Sequence, residues 1–243
     1  MISPGSWWWP DRPARVPKTW AAGLLASLGV VLFAASALSV KAGATSWDAR
    51  LFRILNQMPP AAASVLTPLS YLFRPAGIIA VVLLTVVYVV ARNRSVLPVA
   101  AAAVAAGAAW VLANVAKVIA DRPRPYEVMA GAVLRQQPAH GTSFPSSHTA
   151  VALAVVVALV PFLARPLAAA GIAYAGLVGC SRVYLGVHYP LDVLAGAGIG
   201  MAVGGVILLA LQALLRRAGR AANGHHAPDA GTPKAGPGPT GEP

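Results

Sequence analysis

Long apolar stretches alternate with short polar segments along this chain. The first covers residues 19–40 and, at about twenty residues, is long enough to cross a bilayer as a helix. The apolar run 76–91 is shorter, and we expect its helix to extend back through residues 61–73 with a break at Pro75. Four further stretches follow, at residues 97–120, 149–164, 167–184 and 191–215. The pattern predicts an all-α polytopic membrane protein, a bundle of six transmembrane helices with both termini on one side.

A shorter helix is predicted between the first two stretches, where residues 45–58 read "TSWDARLFRILNQM". Apolar side chains recur there at helical spacing, namely Trp47, Leu51, Ile54, Leu55 and Met58. Charged side chains stand between them: Asp48, Arg50 and Arg53. This amphipathic pattern favours a short helix that lies on the outer membrane surface.

Composition agrees with a membrane protein. Of the 243 residues, 57% are hydrophobic and 11% are charged, whereas soluble domains average about 25% charged residues. The first apolar stretch is too long for the core of a cleavable signal peptide, so we expect a retained transmembrane helix. Cys180 is the only cysteine, which excludes an intrachain disulfide and a cysteine-rich metal site, and we expect it to fill space between helices.

Both ends of the chain differ from the apolar middle. Residues 1–18 combine three tryptophans with Arg12, Arg15 and Lys18, which predicts a cytoplasmic segment anchored at the membrane interface. Residues 216–243 are rich in Gly, Pro and Ala, and we expect a disordered cytoplasmic tail in which His225 and His226 are solvated. Residues 19–215 then form the membrane domain.

The distribution of positive charge predicts the orientation in the cell membrane. Basic residues follow the second, fourth and sixth stretches, on the side of the N-terminus: Arg92, Arg94, Arg165, Arg216, Arg217 and Arg220. The positive-inside rule makes that side cytoplasmic, so the loops at 121–147 and 181–190 face outside. The formal charge of +12 is scattered among apolar segments, which favours membrane topology and contact with membrane lipids over nucleic-acid binding.

An excess of cations nevertheless remains on the outer side: Lys41, Arg50, Arg53, Arg74, Lys117, Arg122, Arg124, Arg135 and Arg182. Charges within membrane helices cost roughly 2.5–3.5 kcal/mol each on insertion scales, so they usually face a cavity or an opposite charge. The few carboxylates cannot pair with all of these cations, which suggests an anionic ligand such as a phosphate group. The carboxylates are also too dispersed in sequence for a magnesium site, so we expect no metal and no cofactor.

Candidate catalytic side chains accompany these cations at the outer helix ends. Ser146 stands before a long apolar stretch as a candidate helix N-cap, and a helix N-terminus favours bound anions. His148 follows in the first turn, where it could transfer a proton. His188 and Asp192 are spaced so that the carboxylate could orient the imidazole as a nucleophile.

Three segments together resemble the signature of the type 2 phosphatidic acid phosphatase superfamily, which includes polyprenyl-diphosphate phosphatases and vanadium haloperoxidases. They are "KVIADRPRP" from Lys117 to Pro125, "PSSH" from Pro145 to His148, and "SRVYLGVHYPLD" from Ser181 to Asp192. The resemblance implies that His188 attacks phosphorus, Asp192 orients it and His148 serves as acid and base. It also implies that the phosphoryl oxygens are bound by Lys117, Arg124, Ser146, Ser147 and Arg182.

The chain departs from the family pattern at two positions. Ser147 stands where glycine is usual, so that position must tolerate a side chain. The doubled "RPRP" offers Arg122 or Arg124 as the clamp, and only Arg124 has the family's spacing from Lys117. Arg122 is left to contact a second phosphate or the headgroup layer.

The resemblance implies a metal-independent lipid phosphatase or diphosphatase that acts at the extracytoplasmic face through a phosphohistidine. Undecaprenyl or another polyprenyl diphosphate is the expected substrate, while phosphatidic acid, phosphatidylglycerol phosphate and prenyl-linked sugar phosphates stay open. Two alternatives use the same pocket: a phosphotransferase that passes the phosphoryl group to an alcohol, and a non-catalytic transporter or binder of phosphorylated lipid. Oligomeric state stays open.

Overall fold

A computed structural model describes residues 16–41, 46–59, 61, 64 and 75–224. The regular elements in these ranges are helices. The longer ones are α1 (Thr19–Lys41), α2 (Ser46–Asn56), α3 (Pro75–Asn93), α4 (Leu97–Ala120), α6 (Ser147–Leu159), α7 (Arg165–Tyr184) and α8 (Pro190–Gly224). A single turn, α5 (Pro125–Val128), follows α4, and a 3-10 turn (Val160–Phe162) follows α6.

The predicted all-α membrane architecture is confirmed. In the described part of the chain, four helices are long and apolar enough to cross a membrane: Thr19–Lys41, Leu97–Val128, Arg165–Tyr184 and Pro190–Ala218. Two shorter apolar helices accompany them, Ile79–Asn93 and Ser147–Phe162. The count of six crossings stays a prediction.

Several sequence-based expectations concern residues that the structure does not describe. These are the interfacial anchor in residues 1–15, most of the expected extension of α3 through 61–73, and the tail from residue 225 onward. The expected boundary of that tail at residue 216 falls inside α8, which continues to Gly224.

The seam between α1 and α8 is built from small residues that let the two backbones approach closely. A Cβ on Gly29 of α1 would overlap the backbone nitrogen of Ala202 and lie 2.6 Å from the carbonyl oxygen of Gly198. A Cβ on Gly205 of α8 would lie 2.7 Å from the backbone nitrogen of Ala26. Close approach at small residues is a principal source of helix association in lipid, where apolar burial gives little driving force.

Alanines form the centre of the bundle, where α4, α6 and α8 meet. The buried cluster consists of Ala105, Ala109, Ala113, Ala150, Ala154, Ala158, Ile199 and Val203. Cys180 is an exception to the predicted packing: it is exposed on α7, while the adjacent Gly179 and Val178 face the bundle. The expectation that this cysteine fills space between helices was therefore wrong.

Helices α1 and α8 run antiparallel, as contacts at both of their ends show. At one end, Arg216 Nη2 donates to Thr19 Oγ1 at 2.7 Å. At the other end, the backbone N–H of Leu191 donates to Asp48 Oδ1 at 2.9 Å, just after α1. The polar ends of α4, α6 and α7 collect at this second end.

Helix α2 is present as predicted, but its inner face includes buried polar side chains. Asp48, Phe52 and Asn56 are one turn apart and completely buried, while Trp47 and Ile54 are exposed. Asn56 Nδ2 donates to the carbonyls of Val133 at 2.9 Å and Tyr184 at 3.1 Å. The helix therefore docks through an acid, an aromatic ring and an amide, while Trp47 and Ile54 stay outside.

The small-residue seam predicts opposite effects for two glycines on α1. Gly29→Ala should lower the thermal unfolding midpoint in detergent, because overpacking costs about 1–3 kcal/mol. Gly23→Ala is the matched control: its Cβ would meet nothing within 4 Å, so helix propensity should leave the midpoint equal or higher. Equal shifts in the two variants would contradict this packing.

Candidate active site

The structure brings the three predicted segments together. Ser146 N–H in the second segment donates to the Asp192 carbonyl in the third at 2.9 Å, and Ser143 N–H, two residues before the second segment, donates to the Arg122 carbonyl in the first at 2.8 Å. Arg182, His188, Lys117 and Arg124 all lie close enough to His148 for their charges to act on it. The residues selected from sequence therefore share one end of the bundle.

His188 lies beside Asp192, as the sequence spacing predicted. Its Nδ1 is 3.5 Å from Asp192 Oδ2, and the imidazole is buried. Asp192 Oδ2 also accepts the backbone N–H of Tyr189 at 2.8 Å, which closes the turn into α8. This arrangement turns Nδ1 toward the carboxylate and leaves Nε2 as the nitrogen available for chemistry.

Burial sets the protonation state of His188. Removal of the imidazole from water lowers the pKa of His188 to about 4 from its ordinary 6.5, although the neighbouring Asp192 carboxylate opposes the shift. The ring is consequently neutral near pH 7, as a nitrogen nucleophile must be.

Asp192 has more polar contacts than the sequence suggested. It is completely buried, its Oδ1 accepts from Arg122 Nη1 at 2.7 Å, and its Oδ2 accepts from the Ser143 hydroxyl. Ser143 comes from the loop before α6. The carboxylate thus connects the loop after α4, the loop before α6 and the first turn of α8.

Arg122 is buried inside the protein, which disagrees with the expected contact with the headgroup layer, while its contact with a second phosphate stays a prediction. Its side chain is buried, and Nη2 donates to Asp48 Oδ2 at 2.6 Å while Nη1 holds Asp192. The guanidinium also lies over the Tyr189 ring, 4.0 Å from its centroid. Arg122 is therefore an internal bridge between two carboxylates.

Asp48 is the participant that sequence reasoning missed. It was assigned to the polar face of a surface helix, yet it is completely buried, and burial raises the pKa of its carboxyl. One signal was available: Asp48, Phe52 and Asn56 recur at four-residue spacing and define a second stripe on α2.

Two of the predicted phosphate-binding cations support a loop. Lys117 Nζ donates to the carbonyl of Thr142 at 2.7 Å. The Arg124 guanidinium donates to the carbonyls of Gly141 at 2.9 Å, Val187 at 2.8 Å and His140 at 3.0 Å. These contacts fix the guanidinium plane, so its remaining N–H groups have a set direction.

The first turn of α6 supplies hydroxyl and backbone donors. Ser146 is the N-cap, and its hydroxyl accepts from Thr149 Oγ1 at 3.0 Å. Ser147 Oγ is buried and has no hydrogen-bond partner among the described residues. The side chain at the usual glycine position is therefore accommodated, and its hydroxyl is available to a ligand.

Among the residues that the structure describes, no group of three or more His, Cys, Asp or Glu side chains could hold a metal ion.

Two curated relatives match part of the chain. Over 92 residues it is 36% identical to an undecaprenyl-diphosphatase of Sulfolobus acidocaldarius, covering 38% of this chain and 45% of that protein. Over 62 residues it is 39% identical to the undecaprenyl-diphosphatase BcrC of Bacillus subtilis, covering 26% of this chain and 32% of that protein. The chain thus spans less than half the length of either relative.

Two solved structures resemble this fold, and the sequence matches a protein family. LpxE of Aquifex aeolicus has a TM-score of 0.56 and 29% identity, covering 65% of this chain and 93% of that one. A transmembrane PAP2-type phosphatidylglycerolphosphate phosphatase of Bacillus subtilis has a TM-score of 0.59 and 22% identity, covering 78% of this chain and 96% of that one, and shows the fold. Residues 95–216, half of the chain, match the PAP2 superfamily. The chain therefore belongs to the PAP2 superfamily.

Proposed function

We propose that this protein is a membrane lipid phosphatase that removes the terminal phosphate of a polyprenyl diphosphate, the substrate class named for its two curated relatives. The observation that carries the proposal is the buried His188 beside Asp192 at the helix end where Lys117, Arg124 and Arg182 collect. A neutral imidazole among cations suits attack on an anionic phosphorus centre.

In the first step, His188 Nε2 attacks the terminal phosphorus, and the bond from phosphorus to the bridging oxygen breaks. His148, in the imidazolium form that the bound anionic diphosphate favours, donates its proton to that oxygen, so the lipid monophosphate leaves in protonated form. Asp192 stabilises the positive charge that develops on the imidazole. In the second step, His148 takes a proton from water, the oxygen attacks phosphorus, and the phosphorus–nitrogen bond breaks to release inorganic phosphate.

The cations and the α6 N-terminus stabilise the charge on the phosphoryl oxygens in both steps. Arg124 and Arg182 are suited to bind two oxygens each through the planar guanidinium, and Lys117 adds a point charge. The Ser147 hydroxyl and the first backbone N–H groups of α6 supply further donors.

We further propose that six helices cross the cell membrane, with α3 and α6 as the two shorter ones, and that the site faces outside. The supporting observation is that Thr19 and Arg216 meet at the end opposite the site, where the positive-inside rule predicts the cytoplasm.

Replacement of His188 should abolish catalysis. His188→Ala should lose at least about 10³-fold in phosphate release, because it removes the nucleophile. The assay offers polyprenyl diphosphate, phosphatidic acid and phosphatidylglycerol phosphate to purified protein in detergent, with fastest release expected from the first. His225→Ala, in the C-terminal tail, is the control and should retain full activity. Substantial turnover by folded His188→Ala would refute the phosphohistidine.

Catalysis should need no divalent metal, because the proposed charge stabilisation comes from cationic side chains and helix-end N–H groups. Phosphate release by the wild type should therefore persist unchanged in excess EDTA. A loss of activity that returns on addition of magnesium would contradict the proposed mechanism.

The neutrality of buried His188 predicts how stability depends on pH. Because the folded-state pKa is about 4 and the ordinary value is 6.5, the unfolded chain binds more protons between these values, and stability rises with pH across that window. Between pH 4.5 and pH 6.5, the thermal unfolding midpoint of His188→Gln should rise less than that of the wild type. Identical slopes for the wild type, His188→Gln and the control His225→Gln would show that His188 does not titrate this way.

A further inference from the structure

Asp48 belongs to none of the three signature segments, yet it contacts two of them. Its Oδ2 accepts from Arg122 Nη2 at 2.6 Å, and its Oδ1 accepts the backbone N–H of Leu191 at 2.9 Å. Leu191 directly precedes Asp192 and lies in the first turn of α8. Helix α2 therefore reaches both Arg122 and the first turn of α8 through one completely buried carboxylate.

Arg122 carries the contact onward to the reacting pair. Its Nη1 donates to Asp192 Oδ1 at 2.7 Å, on the side of the guanidinium that Asp48 does not occupy. The Tyr189 ring packs against the guanidinium face at 4.0 Å. The cation is thus fixed by Asp48, Asp192 and Tyr189 together, with its remaining mobility small.

We propose that Asp48 is a positioning residue for the hydrolytic reaction: through Arg122 and the Leu191 N–H it sets the place of the Asp192 carboxylate, and thereby the orientation of His188. This inference rests on the proposed phosphatase function.

Electrostatics gives a second reason for the arrangement. A lone Arg122–Asp192 pair would be formally neutral, whereas two carboxylates around one guanidinium carry a net negative charge. That charge lies beside the imidazole, which becomes positive as its nitrogen attacks phosphorus. Asp48 shares the guanidinium and so leaves Asp192 able to stabilise the imidazole.

Asp48→Asn tests the inference with almost no change in shape. The amide still presents an oxygen to the Leu191 N–H but removes the negative charge that holds Arg122. In detergent, kcat for phosphate release should fall about 10–100-fold, the loss expected when a reacting group is displaced by about 1 Å. KM and the inhibition constant of added inorganic phosphate should stay unchanged, because Asp48 lies outside the phosphate site.

Asp121→Asn is the matched control, since it makes the same chemical change at an exposed position on the same end of the bundle. Asp121 is the left-handed C-cap of α4, a conformation that asparagine also tolerates, so kcat and KM should equal those of the wild type. Arg122→Lys is the second variant; it keeps the charge but loses the two-sided bridge, and it should show the same fall in kcat at constant KM. It decides the question if Asp48→Asn does not purify as a folded protein.

Two results would overturn the inference. In the first, folded Asp48→Asn has the kcat of the wild type, which would show that Asp48 is only structural. In the second, Asp48→Asn keeps its kcat but has a raised KM and binds inorganic phosphate more weakly, which would place Arg122 in substrate binding. The wild type and His188→Ala are run in the same assay, so that failure of the inference about Asp48 can be distinguished from failure of the proposed phosphatase function. A wild type that releases no phosphate removes the phosphatase proposal and this inference together, whereas an active wild type with full-rate Asp48→Asn removes only the inference.

Discussion

A guanidinium held between two completely buried carboxylates is the constraint on which the polar end of this bundle depends. Buried charges are tolerated only where geometry and hydrogen bonds compensate for lost hydration. Arg122 can satisfy Asp48 and Asp192 together only if α2, the loop after α4 and the start of α8 are all in place. The same contacts that solve the burial problem therefore assemble the site.

Helix α8 packs through small residues along its length and makes polar contacts at its first turn. Along its length, glycines meet α1 at backbone distance, and nothing polar is needed for a firm seam. At its first turn the helix begins with Pro190, and the carboxylate of Asp192 receives the Tyr189 N–H and the Ser143 hydroxyl. The apolar helix thus carries the turn that contains Asp192 at its tip, and its seam with α1 holds that turn in place.

Sequence reasoning recovered the helices and the three signature segments because both signals are local. Long apolar runs indicate membrane helices. Each signature segment is recognised from the spacing of a few neighbouring residues, in Lys117 to Pro125, Pro145 to His148 and Ser181 to Asp192. The Asp48 contacts escaped it because they join residues 74 and 143 positions apart, and one sequence carries no trace of such pairing. The role of Arg122 was missed for a related reason, since "RPRP" does not reveal which of its two buried arginines pairs with carboxylates.

The exposed thiol of Cys180 gives this molecule an experimental handle. It is the chain's single cysteine and lies on α7 two positions before buried Arg182, on the opposite face. A nitroxide or fluorophore could be attached there without first replacing any other cysteine. Such a label would sit on the outer face of the helix whose inner face carries Arg182, and would report whether that helix moves when phosphorylated lipids are added.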